Sequence, residues 1–542
     1  MTDKKSKTRI FMPLIFALVL VSGVFIGRYI FSLPGAMNAN SLMLYPHQDK
    51  VETVLELIRD EYVDSIDMNE LEEKVIPHIV ENLDPHSVYI PAKDLKEVNE
   101  ELEGNFGGIG VQFSIQDDTV MVVAVISGGP SEKLGILPGD RIIKVNDTII
   151  AGVGITNSDV IHKLRGEMGT HVKVSIMRKN VDKLIDFDIT RGEIPVNSVD
   201  VAYMVTNETG YVKIDRFAQN TYNEFITALA TLKKEGCKNI IVDLRNNSGG
   251  LLDIAYRITN EFLKKGDVVF FTQGKAQPRR EVKANGIGSC QDTKVIVLIN
   301  EFSASASEIF AGAIQDNDRG LIIGRRSFGK GLVQSQIPLP DGSALRLTVA
   351  RYYTPSGRCI QKPYVRGDAE DYYKDIIHRY EHGEFFAKDS VIQNDSLKYY
   401  TKSGRVVYGG GGIMPDIFVP RDTTLYSDLY YTMRASGVIY QYALKYADEN
   451  RNVLKKYTDA ESMLKYLNSQ PVFNDFIQYA KKKKIKIDPK QLKRSKPLID
   501  NELKAYIARN IIDNKGFYPI LGREDNVLKK AVEEMNKKFP FN

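Results

Sequence analysis

The stretch from Lys294 to Gln334 constrains this chain more than any other. Lys294-Val-Ile-Val-Leu-Ile-Asn300 is an apolar run bounded by turn-formers, the pattern of a buried strand. Glu301-Phe-Ser-Ala-Ser-Ala-Ser-Glu308 is too small and polar to continue it, and Ile309, Phe310, Ala313 and Ile314 then recur at helical spacing. Glu308 falls in the first turn of that helix, where the dipole favours an acid. A strand, a tight Ser/Ala turn and a helix start bring a serine hydroxyl to backbone N–H donors. Acyl chemistry needs that pairing of nucleophile and oxyanion site. The segment closes on Ser327-Phe-Gly-Lys330-Gly-Leu-Val-Gln334, with a lysine between glycines in apolar surroundings.

A serine nucleophile needs a base. The histidines are His47, His78, His86, His162, His171, His378 and His382, so none lies between His171 and His378. An imidazole for a Ser-His-Asp triad would have to come from another domain. Lysine is the local alternative: its pKa must fall from about 10.4 to about 7–8, at about 3–5 kcal/mol of desolvation. Lys330, among Gly329, Gly331, Leu332 and Val333, is the candidate for that role.

These residues resemble the C-terminal processing peptidases, tail-specific serine proteases that carry a PDZ domain and a Ser/Lys dyad. The resemblance rests on Ser303-Ala-Ser305-Ala-Ser307-Glu308-Ile309, Gly312-Ala-Ile-Gln-Asp316, and Phe328-Gly-Lys330-Gly331 with Gln334. It implies Ser305 as nucleophile, Lys330 as base and Gln334 as the group that holds the neutral amine. Lys330 and Gln334 then share a helical face or pair across an irregular turn. Ser303 and Ser307 read as helix caps. Asp243-Leu-Arg-Asn-Asn-Ser248-Gly249-Gly250-Leu251 follows a strand, Lys238 to Leu244, and opens a helix. By the same resemblance, the amide of Gly249 or Gly250 joins that of Ala306 as the oxyanion hole, on a ββα-superhelical, crotonase-like core. Two features depart from the family: Ser248 stands where proline is usual, and Arg325-Arg326 brings charge close to Lys330.

Further segments extend the resemblance. Phe106-Gly107-Gly108-Ile109-Gly110-Val111-Gln-Phe113 joins a glycine-rich turn to an alternating strand, and Gly129 to Asn146 matches the middle of a PDZ module. The amides from Gly107 to Val111 are expected to receive a terminal carboxylate and an extended tail. Ser158 to Leu164 reads as the groove-lining helix. Arg165 just beyond it reads either as a C-terminal cap or as a gating residue that reaches Gln334 when a tail is bound. Leu83-Asp-Pro-His86-Ser87-Val-Tyr89 is also shared with the family and reads as a capped proline turn closing a helical stretch, Lys50 to Val98.

At the N-terminus, Lys4, Lys5, Lys7 and Arg9 precede an uncharged run from Ile10 to Gly27. As a helix it would be about 27 Å long, close to a bilayer core. The positive flank points to a cytoplasmic start and an exported remainder; a cleaved signal peptide is the rival reading. The expected organisation is α/β multidomain. Residues 1–32 form the tail and anchor, 33–98 a linker and helical region, and 99–195 the PDZ domain. Residues 196–420 form the protease core, with 362–407 a surface insertion, and 421–542 a helical region of unassigned role. Lys481 to Lys484 and Lys486 read as a solvated face.

The net charge of +4 makes no case for nucleic acid, and three unclustered cysteines indicate neither a disulfide framework nor a zinc site. No metal or other cofactor is implied. The expectation is a serine endopeptidase held on the inner membrane, acting outside the cytoplasm on proteins with hydrophobic C-terminal tails, and possible as a homo-oligomer. Two alternatives stand beside it: a catalytically silent PDZ scaffold, and a crotonase-like acyl-CoA enzyme, which neither a PDZ module nor export suits.

Overall fold

The computed structural model describes residues 17, 19–23, 50–126, 128–179 and 181–541. Most of the expected anchor and the linker after it lie outside the described residues. Among the described residues no helix is long and apolar enough to cross a membrane. The chain divides into residues 1–75 and 76–542. The first unit holds the amphipathic helix α1 (Lys50–Glu61) and the start of α2 (Met68–Glu81).

In the second unit the Asp84 carboxylate accepts from the amides of His86 and Ser87, at 2.9 and 3.0 Å, and closes the proline turn. The chain then enters β1 (Val88–Ile90) and α3 (Ala92–Glu103). The PDZ domain follows as an antiparallel sheet. Its strands β2 (Val111–Gln116), β3 (Thr119–Val125), Arg141–Val145, His171–Met177 and Ile185–Thr190 lie in that order. Helix α4 (Asn157–Leu164) starts at a capping box between Thr156 and Asp159. Val120, Ile142, Val160, Val174 and Ile189, all fully buried, form the core of this domain.

The protease core is two sheets sharing a layer of helices. The first contains β4 (Val199–Met204), β5 (Thr209–Ile214), β6 (Asn239–Asp243), β9 (Lys294–Ile299), β10 (Leu321–Gly324) and β13 (Ile417–Phe418), in that spatial order. All neighbours are parallel except β4 and β5. The second is antiparallel: β7 (Val268–Gln273), β8 (Arg280–Lys283), β11 (Leu332–Pro338) and β12 (Ala344–Tyr353), with β1 added at its edge. Helices α5 (Thr221–Lys234), α6 (Leu252–Asn260) and α7 (Ala306–Asp316) pack between them. Phe225, Phe262 and Phe310 meet there ring to ring, with centroids 6.2 and 5.7 Å apart. Strands buried on both faces explain the unbroken apolar runs of β6 and β9.

The outer face of the parallel sheet is covered by α10 (Asn526–Met535), through Val527, Leu528, Ala531 and Met535. Between core and α10 the chain forms a helical bundle of its own, Leu429 to Leu521, around the long helix α9 (Pro489–Ile512). Lys481 to Lys484 and Lys486 are exposed, as expected. The three cysteines are unpaired thiols.

The insertion corrects an expectation. Residues 362–407 are not merely a surface excursion, because helix α8 (Ala369–Glu381) buries Tyr372 and Arg379 against the loop that carries Lys330. These residues stand seven apart in a mixed Tyr/Lys/Asp sequence, so the inner face amounts to one line of contacts that composition conceals.

Candidate active site

Ser305 caps the N-terminus of α7 with φ 55° and ψ −113°, a conformation non-glycine residues rarely adopt. The turn before it is fixed from all sides. Ser303 Oγ donates to the Leu244 carbonyl at 2.8 Å, the Ala304 amide to the Asn247 carbonyl at 3.0 Å, and Ser307 Oγ to that same carbonyl at 3.0 Å. Ser303 and Ser307 are therefore framework residues, fully buried, whereas Ser305 is half-buried. Small residues are needed because the turn presses directly on the loop after β6.

In that loop Gly249 and Gly250 have φ of 106° and 137°. A Cβ on Gly249 would lie 2.8 Å from the Ala304 carbonyl and 2.9 Å from the Ala306 nitrogen; one on Gly250 would lie 2.2 Å from the Phe217 carbonyl. Only glycine permits both the conformation and the approach. The Gly249 amide is engaged by Asn247 Oδ1 at 2.8 Å. Ala306 is the first residue of α7, where amides lack an intrahelical partner.

Gln334 lies on β11, not on a helix, at a register shift in the pairing of β11 with β12. The expected local pairing across an irregular segment is the form realised: Lys330 Nζ donates to Gln334 Oε1 at 3.1 Å. Gln334 Nε2 in turn donates to the His86 carbonyl. Burial pushes the Lys330 amine below the ordinary lysine range; the Arg346 charge adds to this, and Asp84 and Glu308 oppose it.

By sequence Glu308 is an acid favoured by the helix dipole, and its position decides much more. Its carboxylate, fully buried, accepts from the Ser305 amide at 2.8 Å and the Lys330 amide at 2.9 Å through one oxygen. The other oxygen accepts from the Gly329 amide at 2.7 Å and Ser327 Oγ at 2.5 Å. One carboxylate thus ties the serine turn to the lysine loop. Burial pushes its pKa up to about 7, held back by these four bonds. Tyr352, also buried, places its hydroxyl 2.5 Å from the Lys330 carbonyl and 3.1 Å from that of Ser305. The Ser-x-x-Glu spacing of a capping box was the available signal for Glu308. No local signal marked Tyr352.

Arg325 and Arg326 are neutralised away from the lysine. Arg325 pairs with Glu301 at 2.8 Å and Arg326 with Glu384 of the insertion at 2.6 Å. Arg379 of α8 donates to the carbonyls of Ser327 and Arg326, at 3.0 and 2.9 Å. The proline turn reaches the same place: His86 Nε2 lies 3.0 Å from the Tyr372 hydroxyl, and burial beside the Lys330 charge lowers its pKa to about 4. Ser87 is committed to Asp84 Oδ2 at 2.6 Å. His86 contributes its carbonyl to the site.

In the PDZ domain β2 pairs only with β3 among the described residues, which leaves its other edge open. The expected glycine turn before it is corrected, because Gly107 and Gly108 belong to a strand, Asn105–Gly108, paired with Gly192–Pro195, and only Ile109 and Gly110 make the turn into β2. Ile109 is buried and Gly110 has φ 77°. Arg165 caps α4 with its backbone. Its guanidinium stacks 3.9 Å from the Phe106 ring centre and lies 3.5 Å from Glu100 of α3. It does not contact Gln334 here. Asn99, next to Glu100 on α3, accepts from Gln336 of β11 at 3.1 Å.

A serine turn tied to the loop of a half-buried lysine, on an α/β core joined to a small antiparallel sheet domain with an open strand edge, is the arrangement of the PDZ-bearing serine peptidases. Residues 208–371 match the model of peptidase family S41, 107–189 that of the PDZ domain, and 429–513 that of a family of unknown function. The carboxy-terminal-processing protease of Bartonella bacilliformis is 35% identical over 414 residues, covering 75% of this chain and 92% of that protein. The carboxy-terminal processing protease of Bacillus subtilis is 34% identical over 358 residues, 64% of this chain and 75% of that one. A photosystem II D1 C-terminal processing protease of known structure is 24% identical with a TM-score of 0.35, over 71% of this chain and 95% of that one. The chain belongs to peptidase family S41, as a C-terminal processing serine protease with a PDZ domain.

Proposed function

We propose that the chain is a membrane-anchored endopeptidase of the inner membrane that works by a Ser305/Lys330 dyad outside the cytoplasm. The PDZ domain engages a hydrophobic C-terminal tail through the Gly107–Val111 segment and brings an upstream peptide bond to Ser305. Neutral Lys330, held by Gln334, takes the hydroxyl proton as oxygen attacks the carbonyl. The Ala306 amide and that of Gly250 receive the developing oxyanion; the bond from Gly249 to Asn247 favours Gly250 for this role. The proton on Lys330 then passes to the leaving amine, and water hydrolyses the acyl-enzyme.

The observation that carries this reading is the half-buried Lys330 amine 3.1 Å from Gln334 Oε1, in a loop tied to the Ser305 amide by one carboxylate. The basic flank and apolar run at the N-terminus support the anchor and the exported orientation. A fluorophosphonate probe should label Ser305 in the unsubstituted chain and fail to label Ser305→Ala or Lys330→Ala. Labelling retained in Ser305→Ala but lost in Ser303→Ala would move the nucleophile. Fractionation with accessible protease should digest the catalytic domains from the outer side only.

A further inference from the structure

A cleft of about 650 Å³ lies between the protease core and the C-terminal helical region. Its core side is formed just beyond the carboxyl ends of the parallel strands β6, β9, β10 and β13, by Asn246, Asn300, Phe302, Arg325 and Arg421. These are the loops that carry the active site: Asn246 lies three residues before Gly249, and Phe302 three before Ser305. Asn246 and Asn300 exchange two hydrogen bonds, of 2.9 and 2.8 Å, so the rim of the cleft and both catalytic loops are one framework. In open parallel sheets, the crevice outside the carboxyl ends of the strands is where ligands bind.

The opposite wall comes from the helical region and sets aromatic residues, Tyr426, Tyr430, Tyr506 and Phe517, among charged ones. The charges around the cleft are largely paired with each other: Arg245 with Asp243 and Asp525, Arg325 with Glu301, and Arg434 with Glu502. Recognition there rests on aromatic surface and hydrogen bonding, which suits an extended polypeptide of no particular charge. Phe302 stands about half exposed, at 51%, on the rim nearest Ser305. The PDZ domain connects to the site through β11. Its contacts run from Arg165 through Glu100 and Asn99 to Gln336 on β11, and so to Gln334 and Lys330. The cleft thus adjoins the loop of Ser305, and the PDZ domain connects to that of Lys330.

We propose that this cleft binds the substrate chain on the N-terminal side of the scissile bond, and that the helical region makes the protease longer-reaching than its PDZ domain alone. The proposal rests on Ser305 as nucleophile. The test uses fluorescent peptides with one hydrophobic tail, one cleavage point, and two or eight residues upstream of it. The eight-residue form should bind full-length Ser305→Ala about tenfold more tightly, and should show a KM about tenfold lower with the unsubstituted chain, the worth of one well-buried aromatic contact. Phe302→Ala and Tyr426→Ala, each introduced separately, should bring that ratio towards one. A ratio near one in the parent chain, or a tenfold ratio surviving both substitutions, would overturn the proposal. Cleavage persisting in Ser305→Ala would overturn the nucleophile assignment instead, and the length ratio would still be read in KM.

Discussion

Replacing Glu308 separates a helix cap from the pin of an active site. The carboxylate accepts three backbone amides and one hydroxyl, the bonds from Gly329 and Ser327 buried and those from Ser305 and Lys330 partly so. Glu308→Ala strands the amides of Ser305, Gly329 and Lys330, each at about 1–3 kcal/mol when unsatisfied. Relaxation and entering water absorb part of that sum, so a loss of about 3–5 kcal/mol is expected. Glu308→Gln keeps one acceptor oxygen. The amide will turn that oxygen towards Ser305 and Lys330, because the Ser327 hydroxyl on the other side can rotate to accept from its NH₂. Only the Gly329 amide is then opposed, at about 1–3 kcal/mol. Activity should follow the same order. A displacement of the serine turn against the lysine loop by about 1 Å costs about 100-fold in rate, expected for Ala, with about tenfold for Gln. Urea unfolding gives the stabilities, and kcat with a tailed peptide gives the rates, while KM changes little. An Ala variant within 1 kcal/mol of the parent and within about twofold in kcat would refute the reasoning. Equal damage from Gln and Ala would show that charge, not the placing of acceptors, holds the site.

Gly249→Ala should lower kcat about 100-fold with little change in KM, because its Cβ would press on Ser305 Cβ at 2.8 Å and on the Ala306 amide; peptide turnover against circular dichroism separates this from unfolding. Asp525→Ala removes the bidentate bonds, of 3.0 and 2.6 Å, to Arg245, which keeps Asp243, and should cost about 2–3 kcal/mol in urea unfolding. A change under about 0.5 kcal/mol would show that the Arg245–Asp525 pair does not hold α10 to the core. His86 has a folded pKa of about 4 against an ordinary 6.5, so the unfolded chain takes up the proton first as pH falls. Stability present above about pH 6.5 should be lost progressively towards pH 4, by about 3 kcal/mol in all. His86→Gln should remove that part of the slope, and an unchanged slope would assign it to other groups.

The sequence alone determined the parts whose signals are local. The apolar runs of β6 and β9 are legible because strands buried on both faces admit little else. The Ser/Ala turn, the two glycines and the glycine-flanked lysine are legible because backbone segments packed this closely against one another exclude larger side chains. The PDZ segment could be read from its glycine turn and the motif after it.

Tertiary structure decided how these parts are held. Lys330 and Gln334 looked equally compatible with a helix, and only the pairing of β11 with β12 makes their contact a strand-edge one. Glu308 looked like a cap because the amides of Gly329 and Lys330, 21 and 22 residues away, become its partners only when the lysine loop folds back. Arg325 and Arg326 looked like a disturbance until Glu301 and Glu384 took up their charges. The His86 carbonyl, Tyr372 and Arg379 come from segments distant in the chain, and nothing in their own neighbourhoods says which loop they will meet. Burial and charge pairing are properties of what folds around a residue. Local sequence can therefore single out candidate reacting groups, while the packed core sets their positions and lowers the pKa of the Lys330 amine.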